Sequence, residues 1–254
     1  SSRLDKSAQT ELGRAIVLQL IESTMADRVN DGRGAWNSAA QAALAQAVFD
    51  SLFRLGRLQP LVDDDRVEVQ LFSQRLGALP AAAEAHEWVG RAIGREDVRL
   101  VWCPDPSARR LDPAHARAGD HTAFADGYPV TVATTGSLRQ LNEWMVSDAV
   151  ERGDEAPDPL PMQRFRPNLV LDCDEPFAED RWAGLTIGGV RMRNAKPNER
   201  CVMTTIDLTS LDTGKEPIRT LARYRRSGSK TLFATNLIPD STGEIRVGDE
   251  ALAH

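Results

Sequence analysis

Lys196-Pro197-Asn198-Glu199-Arg200-Cys201-Val202-Met203-Thr204-Thr205-Ile206-Asp207 is the stretch whose reading decides this chain. It begins as a cationic, proline-containing loop and continues as an alternating run. Cys201, Met203 and Thr205 would face one way, and Val202, Thr204 and Ile206 the other. The spacing predicts a short strand with a thiol at its first position. Positive charge from Lys196 and Arg200 favours the thiolate, the form that ligates metals and acts as a nucleophile. The bland alternative is a small buried hydrophobe.

Working outward, Leu185-Thr186-Ile187 and Val190-Arg191-Met192 flank Gly188-Gly189. Two glycines both accept positive φ, so the segment reads as a hairpin with a tight primed turn. Arg191 and Arg193 add positive charge on its second strand. Upstream, Arg164-Phe165-Arg166-Pro167-Asn168 precedes a strand expected at Leu169–Leu171. Arg166 and Asn168 are two residues apart in an extended segment, so they can face the same way. A forked cation beside a neutral amide suits a phosphate or a pterin edge. The alternative is a pair of solvated surface groups.

Further strands are expected at Val67–Leu71, Val98–Trp102, Val130–Thr134, Leu232–Phe233 and Ile245–Val247. Helices are expected over 81–93, from Ser137 through Met145, and from Pro217 through Ala222. Residues 1–67 carry only helical periodicity, broken at Asn30-Asp31-Gly32 and ended at Gly56 and Pro60. The acidic, proline-rich run over 151–161 reads as an exposed loop.

Composition bounds the function. A chain of 254 residues holds one large domain or two small ones. Its formal charge of −6 argues against a general nucleic-acid binder. No apolar run approaches membrane-spanning length, and no signal-peptide pattern opens the chain, so a cytoplasmic protein without membrane contact is expected. The three cysteines, Cys103, Cys173 and Cys201, form no CxxC pair, which excludes a zinc ribbon or thioredoxin-like motif. Cys103 reads as packing, and the acidic neighbours of Cys173 disfavour a thiolate. His86 reads as a surface residue, while His115 and His121 fall in a loop without a helical HExxH arrangement. Ser227-Gly228-Ser229-Lys230-Thr231 imitates only the end of a P-loop, lacking the adjacent Gly-Lys pair.

Several ordered segments over residues 68–254 together resemble the MOSC family, and within it the amidoxime-reducing proteins. They are Phe124–Pro129, Ser137-Leu138 with Leu141-Asn142, Arg164–Asn168, Phe177–Trp182, Arg200-Cys201 with Thr204-Thr205, Arg219–Tyr224, Phe233 with Asn236-Leu237, and Ile245–Asp249. The resemblance implies an α+β fold, a β-barrel-rich MOSC-type domain preceded here by a small helical segment. It implies the molybdenum cofactor (molybdopterin), with Cys201 as catalytic residue and metal ligand, and Arg166, Asn168, Ser137 and Arg200 as cofactor-binding residues. It further implies an oxidoreductase acting on small N-hydroxylated compounds such as amidoximes, supplied by an external electron-donor reductase. Related proteins commonly carry Cys and Ser where this chain has Asn198 and Glu199. The additional carboxylate must point away, pair with a cation or weaken cofactor binding.

The family's usual N-terminal β-rich domain is not found in residues 1–67. That segment instead resembles the helical region preceding the core of CpaF-like secretion ATPases, on Leu52–Leu61. The alternatives are therefore a non-catalytic MOSC-derived binding module, or a secretion-system accessory protein acting through the N-terminal helices.

Overall fold

The computed structural model describes residues 66–254 except 96, 209 and 211. The helices expected before residue 66, and with them the likeness to secretion ATPases, lie outside the described residues. The chain divides into two units.

The first contains the described residues up to Arg109, with Ala123–Ala125 and Ser210. Strands β1 (Val67–Leu71), β2 (Gln74–Pro80) and β3 (Val101–Trp102) make an antiparallel sheet in that order. Helix α1 (Ala83–Ile93) ends at Gly94, whose φ of 66° is a left-handed conformation that glycine adopts without a Cβ penalty. His86 is half-buried rather than a free surface group. Its Nδ1 accepts from the Leu100 N–H at 3.1 Å, which stitches the helix to the segment before β3. Burial, and then the charge of Arg99, lower its pKa, in keeping with a neutral acceptor ring.

The second unit is built on seven strands: β4 (Val130–Thr134), β5 (Leu169–Leu171), β6 (Gly184–Ile187), β7 (Val190–Glu199), β8 (Arg226–Ser227), β9 (Lys230–Pro239) and β10 (Ala251–Ala253). The sheet order is β10-β6-β7-β9-β4-β5, with β8 paired to β9. Only β4 and β5 run parallel, and helix α2 (Thr135–Arg152) lies in the crossover between them. The mixed sheet nearly closes as a barrel, and helix α3 (Ile218–Tyr224) precedes β8. The fold class is α+β, as expected.

Alternation along the strands feeds two apolar clusters. Val132 packs with Leu185, Ile187, Val190, Met192 and Leu237. Its neighbour Ala133 packs with Leu141, Met145, Phe165, Leu221 and Phe233. Phe165 and Phe233 stack with ring centroids 4.0 Å apart. Burying each such side chain contributes roughly 1.5–3 kcal/mol. Strand β9 is buried continuously from Phe233 to Ile238, because it is a central strand.

The expected hairpin is present: Gly188 and Gly189 have φ of 54° and 82° between β6 and β7. Its second strand is much longer than expected. It runs to Glu199, taking in the supposed loop at Lys196–Asn198. Irregularities in the β7–β9 register between Asn194 and Lys196, and between Pro197 and Glu199, accommodate Pro197, which has no N–H for the ladder.

The strand expected from Cys201 to Ile206 is instead a 3-10 turn over Val202–Thr205. Thr204 Oγ1 donates back to the Cys201 carbonyl at 3.0 Å, and Thr205 Oγ1 to the Val202 carbonyl at 2.7 Å. These local bonds compete with extended pairing. The strand expected at Ile245–Val247 is also absent, and the terminal strand is β10.

Candidate functional site

The long β7 ends at Glu199 and the chain then turns at Cys201. The Arg200 backbone still pairs with Thr231, its N–H donating to the Thr231 carbonyl at 2.8 Å. Cys201 is exposed. Its turn is fastened from within by Thr204 and Thr205, both buried.

The Arg200 side chain runs back into the protein. Nε donates to the Phe233 carbonyl at 2.8 Å and Nη1 to the Phe165 carbonyl at 3.1 Å. Its guanidinium lies 5.8 Å from the Phe165 ring centroid. Nη2 is buried and has no partner among the described residues. An orphaned buried donor of this kind costs about 1–3 kcal/mol until something accepts from it. Burial pushes the Arg200 pKa down to about 10, with the Cys201 charge opposing the shift and Arg166 adding to it.

Arg166 closes the 3-10 turn Met162–Phe165 in a left-handed conformation, φ 51° and ψ 45°. For a long side chain immediately before proline this is a strained backbone, costing about 1–3 kcal/mol. Such strain persists where surrounding contacts impose it, and it concentrates at functional sites. Arg166 is exposed, yet desolvation still lowers its pKa, again against the charge of Cys201. Cys201, Arg166 and Arg200 therefore occupy one electrostatic neighbourhood.

Asn168 is pinned beside them. Its Oδ1 accepts from the Thr131 N–H at 2.8 Å, and its own N–H donates to the Thr131 carbonyl at 2.9 Å. Asn168 is exposed, so its side-chain amide is open to solvent. Thr131 extends the polar strip: Asn198 Nδ2 donates to its hydroxyl at 3.2 Å, and that hydroxyl donates to Asn236 Oδ1 at 3.3 Å.

Glu199 does not enter this group unpaired. Lys196 and Lys230 hold its carboxylate at 2.7 and 3.0 Å. Those two lysines lower its pKa and neutralise its charge. Cross-strand register brings Lys230 here, because Glu199 pairs opposite Leu232 on β9.

Ser137 is placed differently. It is completely buried, and its hydroxyl donates to Glu179 at 2.7 Å while accepting from the Phe177 N–H at 2.8 Å. Thr134 completes the cluster, its hydroxyl 2.7 Å from that of Ser137. The Ser137 side chain serves the start of α2 and has no bond to spare for a ligand. Cys103 is buried, and burial raises its thiol pKa. Cys173 Sγ points to the Glu175 carbonyl at 3.8 Å.

Lys230, Thr131 and Asn236 escaped sequence reasoning as site residues. Asn236 entered only as part of the family resemblance, and strand pairing brings Thr131 to Asn198 and Asn236, and Lys230 to Glu199.

Residues 119–251, which contain every group of this site, match the family profile described as MOSC domain. The chain belongs to the MOSC domain family. Among curated proteins, the MOSC segment is similar to mitochondrial amidoxime-reducing component 1 of Mus musculus, 31% identical over 178 residues, covering 65% of this chain and 49% of that protein. The human protein of the same name is 30% identical over 176 residues, covering 64% and 49%. Molybdenum cofactor sulfurase of Solanum lycopersicum is 28% identical over 201 residues, covering 74% of this chain and 25% of the relative. The chain thus spans about half the length of the amidoxime-reducing relatives that it matches.

Proposed function

We propose that this MOSC domain binds the molybdenum cofactor and reduces small N-hydroxylated compounds such as amidoximes, with electrons from an external reductase. The observation that carries the reading is an exposed thiol next to the buried guanidinium of Arg200, which holds one donor without an acceptor among the described residues, and close in charge to the exposed, left-handed Arg166. This arrangement fits an anionic group of sulfur-held metal and phosphate better than it fits the empty protein. Relatives named amidoxime-reducing component and molybdenum cofactor sulfurase support an association with that cofactor, and the former names the proposed reaction.

Cys201 would supply the protein's thiolate ligand. A single thiolate suits a soft metal that arrives with sulfur ligands of its own. Among the described residues, no group of three His, Cys, Asp or Glu is arranged to hold a metal by itself. Arg166 and Arg200 would hold the anionic part by charge-assisted hydrogen bonds. Asn168 would donate its exposed amide to the same group, its orientation set by Thr131. Lys196 and Lys230 would give the rim positive charge, tempered by Glu199. When bound, the cofactor supplies the two-electron chemistry. Overall, an N–OH substrate takes up two electrons and two protons and gives the N–H compound and water.

The test is elemental analysis of protein made in a cofactor-replete host, combined with amidoxime reduction under an artificial electron donor. Molybdenum near one equivalent and turnover are expected. Protein without molybdenum would sink the reading and leave a MOSC-derived binding module.

A further inference from the structure

The left-handed Arg166 must be held in place, and the structure shows what grips its turn. Arg164, two residues earlier, is buried, with its side chain 8% exposed. Nη2 makes a 3.0 Å ion pair with Asp207, just beyond the turn that starts at Cys201. Its Nε and Nη1 are buried without partners among the described residues. On the other side of Cys201, Arg200 donates to the carbonyl of Phe165. The turn bearing Arg166 and the turn bearing Cys201 are thus tied at two points, which bracket Cys201 on one turn and immediately precede Arg166 on the other.

We propose that the Arg164–Asp207 pair is a positioning device, clamping the strained turn of Arg166 against the turn of Cys201 and so setting the separation of cation and thiol. The reasoning is energetic. A guanidinium taken out of water with two donors unused is a poor way to stabilise a fold, and an apolar side chain of similar volume commonly does as well or better. What an arginine adds here is a directional bond between two segments 43 residues apart in sequence. A strained backbone conformation survives only where its surroundings over-determine it, and this pair supplies one of the constraints.

The inference rests on the proposed cofactor role for its consequence, but its test does not depend on it. In full-chain protein from a cofactor-deficient host, carrying Cys173→Ser, the Cys201 thiol is reacted with an anionic aromatic disulfide and with a neutral pyridyl disulfide. The ratio of the two rates reads how closely the guanidinium sits to the sulfur. Arg164→Met and Asp207→Asn should each lower that ratio about two- to threefold, as expected when a charge recedes by a few ångströms in a partly screened site. Arg164→Lys should restore part of it. The melting temperature of Arg164→Met should stay near that of wild type, which separates positioning from a merely structural role, whereas Asp207→Asn leaves the buried guanidinium without its charge partner and should melt lower. If Arg164→Met fails to fold, Asp207→Asn, whose side chain is 44% exposed, carries the test.

Retained molybdenum is the second readout and should fall in both variants. An unchanged rate ratio in folded variants overturns the proposal. Wild-type protein without molybdenum would instead defeat the cofactor reading, and the rate ratio would still decide the role of the pair.

Discussion

Replacing Arg200 by methionine separates what this residue does for the fold from what it does for a ligand. The variant loses two hydrogen bonds from a charged group, to Phe233 at 2.8 Å and Phe165 at 3.1 Å. Each is worth about 1.5–3 kcal/mol. It also releases a cation that burial has pushed down to about 10, together with one orphaned donor. The orphan alone returns about 1–3 kcal/mol, and rehydrating the cation in the unfolded chain is no longer forfeited. The net loss in the cofactor-free protein should be only about 1–2 kcal/mol, or roughly 2–8 °C in melting temperature for a domain of this size.

Ligand retention should suffer more. One charge-assisted bond to an anion is worth about 1.5–3 kcal/mol, so cofactor affinity should fall about 10- to 100-fold. The assay compares melting of protein from a cofactor-deficient host with molybdenum retained, after dialysis, by protein from a replete one. Equal retention by variant and wild type would refute the assignment. A fall of well over 10 °C in the cofactor-free variant would show that the offsetting terms have been overvalued.

Three other substitutions probe separate parts of the argument. Cys201→Ser should abolish molybdenum retention while leaving the melting temperature within about 2 °C, because the side chain is exposed; a stable variant that keeps its metal would eliminate the thiolate ligand. Glu179→Gln should flatten the pH dependence of stability. Burial raises the Glu179 carboxyl above its ordinary 4.5, against the bonds from Ser137 and Thr134, so the folded state holds the proton more tightly than the unfolded one. Stability from this group therefore falls as pH rises from about 4.5 through the raised value, and denaturant titrations across that window should lose this slope in the variant. Gly136→Ala should destabilise by about 2 kcal/mol or more, since an added Cβ would lie 2.4 Å from the Cys173 carbonyl and 2.7 Å from that of Asp174; a melting temperature equal to wild type would contradict the tight approach of α2 to the segment after β5.

The hairpin at Gly188-Gly189 was legible because both glycines answer a local demand for positive φ. Helix α2 and strands β4 and β5 were legible for a similar reason, since their periodicity repeats within each segment. Cys201 to Ile206 misled because alternation is also compatible with a turn whose threonine hydroxyls bond backwards. Lys196 to Glu199 misled because a proline discounts a strand, whereas two irregularities in the ladder absorb it here. For the candidate site, residue type drew attention to the thiol and to Arg166 and Asn168, but the extended segment expected there is a 3-10 turn closed by a left-handed Arg166. The hydroxyl of Ser137 matched the family pattern as well, yet Glu179, 42 residues away in sequence, occupies it.

The amino-acid order by itself determined the family, from ordered segments spread along the chain, and those local elements whose pattern repeats within one segment. Tertiary structure alone decided which charges meet. It bent Arg200 inward to two carbonyls, brought Lys230 to Glu199, and held Arg166 in a left-handed turn. Those outcomes depend on strand register and on contacts between distant segments. Their energies belong to pairs of residues that no window along the chain contains.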